Sequence, residues 1–507
     1  MLIFELLLAL LLGATLLSLL AKRLGIPYPS LLAVGGAGLA LIPGLPTFQI
    51  PPDLILALFV APILFDAAYD SSPRDLKRDW RPIVSLVLVA VVLTAIVVAI
   101  LSRELIAAMP WAAAIALGAL LAPPDAIAAI TVLRHVNPPH RVRMILEGES
   151  LLNDASSLLI YRTAVGAIAV GGFSVMHALP TFPLVIAGSV VLGWLLAYVS
   201  GLLMRRVSDM APAAILQFIT VFLVWLLAEE LHLSAVVTIV TFGLTAARRR
   251  SLALPANLRV STFAVWETAT FVLNVLAFTM IGLQLRPIVA ALDGSELGRY
   301  SIAALAILAA VILIRLLWVA LLWILQRLPG TPHPRLSSKE AVVVGWSGMR
   351  GIVTLAAAMA LPAGFPYRDF IQFTAFVVVL GTLLLQGLTL GPLVKLLRFP
   401  EDEVVATEVA QGRAGALKAA LAELDGIEGA AADRLRRDYQ ESLTATRSGG
   451  DPFATEFFEL RRRTVSAARQ ELDRLRQGDT IGDDAYRIVE EELDWTDLSA
   501  GAENAET

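Results

Sequence analysis

Apolar runs of roughly 17 to 25 residues, long enough to cross a bilayer core, recur from residue 2 to about residue 397, separated by glycine, proline and charge. The alternation predicts thirteen helices near residues 2–20, 28–44, 53–70, 83–102, 111–133, 147–172, 181–204, 211–229, 234–247, 261–285, 300–325, 338–362 and 370–395. Two of these runs are interrupted. The fifth contains Ala122-Pro-Pro-Asp125, where two prolines remove backbone donors in mid-run. The twelfth contains the glycine-rich Gly345-Trp-Ser-Gly-Met-Arg-Gly351. Unwound backbone at membrane depth survives only when buried in protein or lining a cavity. After Pro400 the periodicity stays helical over Ala414–Leu424 and Phe457–Leu475, but no run there is long enough to cross. Ser448-Gly-Gly-Asp-Pro452 is expected to break those helices, and the stretch from Asp494 to Thr507 reads as disordered.

The composition agrees with a membrane protein: 57% of residues are hydrophobic and only 17% charged. There is no cysteine, which excludes disulfides, thiolate metal sites and cysteine nucleophiles. The five histidines (His135, His140, His177, His232 and His333) fall in expected loops or at helix ends, without the paired spacing of a metalloenzyme. The net charge of −4 averages two regions, because residues from Glu401 onward carry 13 Lys/Arg against 25 Asp/Glu while residues 1–400 are basic. Lys and Arg are uneven across the membrane segment. If Met1 faces outside, eighteen lie in the loops then expected to be cytoplasmic and four (Arg103, Arg286, Arg299, Arg368) in the opposite loops. That bias predicts an external N-terminus and a cytoplasmic C-terminus. The first run opens with Glu5 and lacks a basic leader, so it is expected to remain as the first span.

The predicted fold is therefore an all-α polytopic membrane protein with about thirteen transmembrane helices in residues 1–398 and an acidic, mostly helical cytoplasmic tail at 399–507. Thirteen spans suit two inverted six-helix repeats joined by a seventh helix, the plan of many secondary transporters. In that plan the fifth and twelfth spans are counterparts, and both are the interrupted ones.

The densest set of polar groups lies on the sixth span, in Glu147-Gly-Glu-Ser-Leu-Leu-Asn-Asp-Ala155. Glu149, Ser150, Asn153, Asp154 and Ser157 share one helix face. A carboxylate in hydrocarbon is costly and marks a transport path by default, and Asp154 is the first candidate. Asp125 sits at the Pro-Pro break, where a helix cap is the alternative role. Asp66 lies about four residues from the end of the third span, so it is either functional or an interfacial carboxylate. Glu149 needs a cation, and Arg350 in the opposite repeat is assigned to it as a fixed ion pair, leaving Asp154 to exchange its ligand. Arg162 could screen Asp154 or reach the outer interface. Glu267 and Asn274 suit a packing or cavity face of the tenth span, and Arg315 in the eleventh has no evident partner.

Four stretches, Ala61-Pro-Ile-Leu-Phe-Asp-Ala-Ala-Tyr69, Ala122-Pro-Pro-Asp-Ala-Ile-Ala128, Glu147-Gly-Glu-Ser-Leu-Leu-Asn-Asp-Ala155 and Gly348-Met-Arg-Gly351, together resemble the sodium/proton exchangers of the cation/proton antiporter superfamily. The resemblance implies that Asp154 binds either cation or proton, with Asn153 the neutral neighbour associated with electroneutral exchange. It implies that Ser150 and Asp125 add oxygen ligands to Na+, that Asp66 contributes directly or through Asn153, and that Glu149 and Arg350 form a structural ion pair. It also implies a homodimer, with spans 1–3 and 8–10 as its scaffold and spans 4–6 and 11–13 as a moving core. Many members carry Thr-Asp-Pro at the fifth-span break; here the order is Pro124-Asp125-Ala126, so position 124 offers only a backbone carbonyl.

The expected function is electroneutral antiport of a monovalent cation, sodium first, against protons in the cell membrane. No cofactor, nucleic acid partner or enzymatic activity is expected; the partners are cations, protons and lipid. Potassium or lithium exchange on the same fold is the nearest alternative, and a channel or membrane sensor the more distant one. The acidic tail reads as a solvated appendage or a pH-sensing element.

Overall fold

Proline and glycine decide where the long helices bend. The computed structural model describes residues 2–43, 51–133, 136, 138–169, 175–207, 209–249, 256–292, 294–328, 336–400, 402–448, 456–478, 480 and 482–498. Every regular element among these is helical. Arg134, His135, Arg250, His333, Arg335 and most of the expected break at 449–452 lie outside the described residues. The chain divides into two compact units, Met1–Pro400 and Glu401–Thr507.

In the first unit the helices are α1 (Leu2–Leu24), α2 (Tyr28–Ala40), α3 (52–70), α4 (Pro73–Arg78), α5 (Trp80–Leu105), α6 (Trp111–Leu121), α7 (Ala126–Leu133), α8 (His140–Ala169) and α9 (Val175–Met204). They continue as α10 (Met210–Glu230), α11 (Ala235–Arg248), α12 (Ala256–Leu283), α13 (Leu285–Ala290), α14 (Gly294–Leu325), α15 (Ser338–Trp346), α16 (Ile352–Met359) and α17 (Arg368–Leu397). Among the described residues, six stretches, on α5, α9, α10, α12–α13, α14 and α17, are long and apolar enough to cross a membrane. Leu8, Leu12 and Leu16 on α1, Val191, Leu195 and Val199 on α9, and Leu305, Leu313 and Leu317 on α14 are exposed, as befits surfaces that meet lipid rather than water.

Both interruptions read from the sequence are present. The chain leaves α6 at Leu121 and re-enters helix at Ala126, across the two prolines. It leaves α15 at Trp346 and resumes at Ile352, across Ser347–Gly351. Two further irregularities are π-helical stretches, Leu56–Val60 in α3 and Ser85–Ala90 in α5. The first lies just before Pro62, which has no N–H to return to the preceding turn; the wider turn absorbs that loss.

Hydrocarbon supplies no hydrophobic drive between helices, so close approach depends on small residues. Gly36 of α2 and Gly282 of α12 face each other: a Cβ on Gly36 would strike the carbonyl of Thr279, and one on Gly282 the carbonyl of Ala33. Gly118 of α6 lies in the same way against Ala95 of α5, and Gly193 of α9 against Thr238 of α11. The short α4 is capped by Ser72, whose hydroxyl accepts from the Asp75 amide. It is fastened to the start of α8 by Arg141 Nε donating to Asp79 at 2.9 Å and by His140 Nε2, 3.4 Å from Asp75 Oδ2. Burial pushes the Asp75 carboxyl up, but Ser72, His140 and Arg74 outweigh it and hold the group below the ordinary carboxylate value.

The second unit contains α18 (Val404–Glu423), α19 (Ala430–Arg447), α20 (Glu456–Gln477) and α21 (Asp483–Leu498). The disorder expected from Asp494 onward is corrected as far as Leu498. Arg469 of α20 donates to Asp494 at 2.6 Å and Arg476 to Asp483 at 2.8 Å, so α21 is held by pairs from a neighbouring helix that composition could not show.

The α2–α12 contact gives a direct test of the packing. Gly282→Val should lower the melting temperature of the purified protein by several degrees, because the intruding atoms meet backbone that cannot rotate away; Gly13→Val, where a Cβ meets nothing within 4 Å, should leave it unchanged.

Candidate ion-binding site

The two interrupted helices meet at their breaks. The backbone amide of Asp125 donates to the carbonyl of Met349 at 2.6 Å, joining one break to the other. The Asp125 carboxylate turns back on its own chain, Oδ1 accepting from the amide of Ile127 at 2.9 Å, and so caps α7. Its other oxygen lies against Gly351, where any Cβ would collide with it. Position 351 is thus glycine because a carboxylate occupies the space a side chain would need. Arg350 completes the crossing: its amide donates to Thr382 Oγ1 at 3.0 Å and its guanidinium Nη1 to the carbonyl of Ala122 at 2.8 Å.

Helix α8 passes beside this crossing and is tied to it by a stripe of residues four apart. Asn153 Nδ2 donates to the carbonyl of Pro124 at 2.8 Å, Ser157 Oγ to that of Ala119 at 2.7 Å, and Tyr161 Oη to that of Ala357 at 2.8 Å. Ser156 Oγ donates to Val87 O, inside the π-helical stretch of α5, at 2.9 Å. The carbonyl of Pro124, the only polar group that residue can offer, is therefore already engaged by Asn153.

Ser150 and Asp154 occupy the next face of α8. Both line a cavity of about 30 Å³ together with Val60, Pro123, Pro124, Asp125 and residues 351–354. That is roughly twice the space a single water needs. Asp154 is 8% exposed and, among the described residues, accepts no hydrogen bond, whereas Asp125 does. The charged groups that act on Asp154 are Asp125 and Arg350.

A second, larger cavity of about 720 Å³ is lined by Asp66, Asp70, Glu147, Glu267 and Asn274 among others, and shares Ile63, Ile127 and Ser150 with the small one. It leads from the ends of the helices near Asp70 and Arg143 to the threshold of Asp154. Asp66 lines this funnel and not the small cavity, so the structure does not bring it together with Asp154. Glu267 and Asn274 stand on the funnel wall, the cavity face that their spacing suggested. Arg162 pairs with Glu229 at 3.2 Å with its side chain half exposed, which leaves it at the surface.

The ion pair assigned from the sequence is corrected. Glu149 is held by Arg315, not Arg350: Nη1 and Nη2 donate to Oε1 and Oε2 at 2.5 and 2.8 Å, a bidentate geometry. Nε and Nη2 of Arg315 also reach the carbonyl of Val344, at 3.2 and 3.0 Å. Arg350 makes no ion pair with Glu149, and among the described residues its Nε has no hydrogen-bond partner. The missed signal was Arg315 itself, a lone cation in the middle of an apolar helix, which must find a carboxylate in the core. With that pair made, the buried site contains three carboxylates (Asp125, Glu149, Asp154) and two guanidinium groups (Arg315, Arg350), one negative charge in excess when all are ionised.

Removing one member of a buried pair strands the other. Arg315→Ala should cost about 3–5 kcal/mol in thermal unfolding, with partial recovery in the double variant Glu149→Gln/Arg315→Met. Arg162→Ala, which breaks the exposed pair, should cost under about 1 kcal/mol.

Comparison with known proteins agrees with this geometry. Residues 7–396 match the transmembrane sodium/hydrogen exchanger family. The chain is 31% identical over 505 residues, covering 94% of it and 92% of its relative, to an uncharacterised Na+/H+ exchanger of Mycobacterium tuberculosis. It is 30% identical over 405 residues, covering 76% of it and 59% of its relative, to a sodium, potassium, lithium and rubidium/H+ antiporter of Bacillus pumilus. Its fold matches the sodium proton antiporter MjNhaP1 of Methanocaldococcus jannaschii with a TM-score of 0.60 at 22% identity, over 78% of this chain and 99% of that one. A multi-pass membrane chain whose two broken helices cross beside buried carboxylates, and whose sequence matches from residue 7 to residue 396, belongs to the sodium/hydrogen exchanger family.

Proposed function

We propose that the protein exchanges a monovalent cation, sodium first, for a proton by letting the two compete for Asp154. The observation that carries this reading is the charge count of the site. Five ionisable groups leave one anion unmatched, and of the two carboxylates that line the small cavity, Asp125 and Asp154, it is Asp154 that has no hydrogen-bond donor among the described residues. One proton or one monovalent cation cancels that charge equally well. A site that must always hold one of the two, and has no room for both, couples their movements one for one.

Carboxylate, hydroxyl and carbonyl oxygens suit a hard monovalent cation. Asp154 and Ser150, with Asp125 beside them, supply such oxygens on the walls of the small cavity. Pro124 and Asn153 act on each other rather than on the cargo, and Asp66 acts at the funnel. The bias of Lys and Arg favours a cytoplasmic position for the ends of α3 and α8 nearest Asp70 and Arg143, so the funnel opens inward. In this reading thirteen spans form two inverted repeats, with an external N-terminus, a cytoplasmic tail and a location in the cell membrane. Spans 4–6 and 11–13 form a core that moves against a dimeric scaffold of spans 1–3 and 8–10. Transport without covalent chemistry needs no cofactor and no catalytic residue. Potassium or lithium exchange is the second reading, supported by the range of cations named for the B. pumilus relative.

In liposomes with an imposed pH gradient, Asp154→Asn should abolish sodium-dependent proton flux while the protein retains its melting temperature; flux retained in this variant would remove Asp154 from the mechanism. Asp66→Asn, on the funnel wall, should leave the maximal rate intact and raise the apparent KM for sodium by about two- to tenfold at low ionic strength. That difference should shrink at high salt as the funnel charge is screened.

A further inference from the structure

Tyr161 stands seven residues after Asp154 on the same helix and is 7% exposed. Its hydroxyl donates to the carbonyl of Ala357 at 2.8 Å. Ala357 belongs to α16, only eight residues long, and is one of the last four residues of that helix, whose carbonyls have no partner further along it. Ala356 O is met by the Ala360 amide and Ala358 O by Gln372 Nε2 at 3.3 Å; Ala357 O is met by Tyr161. The other end of α16 is the wall of the small cavity, residues 351–354. From Asp154 to Tyr161 is about 10 Å along α8, and from the cavity wall to Ala357 about 8 Å along α16, at 1.5 Å per residue. Helices α8 and α16 thus meet at two places, the small cavity, which Asp154 and residues 351–354 both line, and the Tyr161 bond to Ala357 at the far end of α16.

We propose that Tyr161 is a positioning residue that sets the spacing between α16 and the Asp154 carboxylate, and through it the choice among monovalent cations. This rests on the antiport reading above. A buried carbonyl that loses its donor must seek another, and a helix of two turns can tilt or slide to do so. In a cavity of about 30 Å³, a displacement of a few tenths of an ångström alters which ionic radius fits. The aromatic ring gives the bracket a fixed length, whereas a long flexible side chain would not.

The test compares wild type, Tyr161→Phe and Tyr161→4-aminophenylalanine, which keeps an N–H donor at the far end of the ring, in liposomes, with apparent KM measured for sodium and for potassium. Tyr161→Phe should shift the ratio of the two KM values by about two- to tenfold, the range a single neutral hydrogen bond spans, with the maximal rate within about twofold of wild type. The 4-aminophenylalanine variant should restore the ratio. An unchanged ratio in the Phe variant overturns the proposal. So does a Phe variant that loses its fold, or one that falls only in maximal rate and melting temperature, since either makes Tyr161 a structural cap alone. A 4-aminophenylalanine variant that stays shifted overturns it as well. If wild type itself exchanges neither cation for protons, the antiport reading fails and takes this one with it.

Discussion

An unwound stretch of chain in mid-membrane survives only where each freed peptide group finds a partner, because hydrocarbon offers none. Here the partners come from neighbouring helices and from the facing break. The carbonyls of Ala119, Pro124 and Ala357 are met by Ser157, Asn153 and Tyr161 of α8, that of Ala122 by Arg350, and that of Val344 by Arg315. The Asp125 amide meets Met349 across the crossing, and the Arg350 amide meets Thr382. Helix α8 is therefore a post to which the first break is tied through Asn153 and the far end of α16 through Tyr161, and the residue it presents beside these ties is Asp154.

The buried charges obey a different accounting. A bidentate Arg–Glu pair in a dry core adds little net stability over an apolar pair of the same shape, since desolvation offsets the attraction. Its effect is local: Arg315 satisfies both oxygens of Glu149 and removes that carboxylate from competition for a cation. Arg350, freed from that duty, stays close enough for its charge to act on Asp154 while its hydrogen bonds go to backbone. A single guanidinium between Glu149 and Asp154 would have to divide itself between them. Two allow one carboxylate to be fixed and the other to be exchangeable.

What the sequence disclosed follows the physics of each signal. The all-helical, multi-pass character was legible because apolar length is a one-dimensional property, and the breaks because proline and glycine act on their own backbone. The face of α8 carrying residues 149, 150, 153, 154 and 157 was legible from spacing. The partners were not. Choosing between Arg315 and Arg350 for Glu149 requires the rotation of α14 and α15 about their axes, and a uniformly apolar helix such as α14 carries no pattern that fixes it. Asp66 was placed near the site by resemblance, but its position one cavity away depends on how far α3 is offset along α8. The π-helical stretches had only Pro62 as a hint, and Asp494 was ordered by an arginine twenty-five residues earlier that composition could not point to.

Between the two carboxylates at the crossing, the local bonds decide which is free to exchange. Asp125 is committed at Oδ1 to the amide of Ile127 and confined at its other oxygen by Gly351, so withdrawing it would also uncap α7. Asp154 has no such tie. A buried carboxylate with no donor among the described residues, next to a cavity of about 30 Å³, is stable only when something small and positive sits beside it, and the funnel ends at the same three residues, Ile63, Ile127 and Ser150, that border this cavity. On the antiport reading proposed above, the funnel closes by a shift of α3, which carries Ile63, against α7 and α8, which carry the other two. In the proposed exchange the bonds from α8 to Pro124 and Ala357 are kept through such a shift, so that Asp154 keeps its place beside the first break.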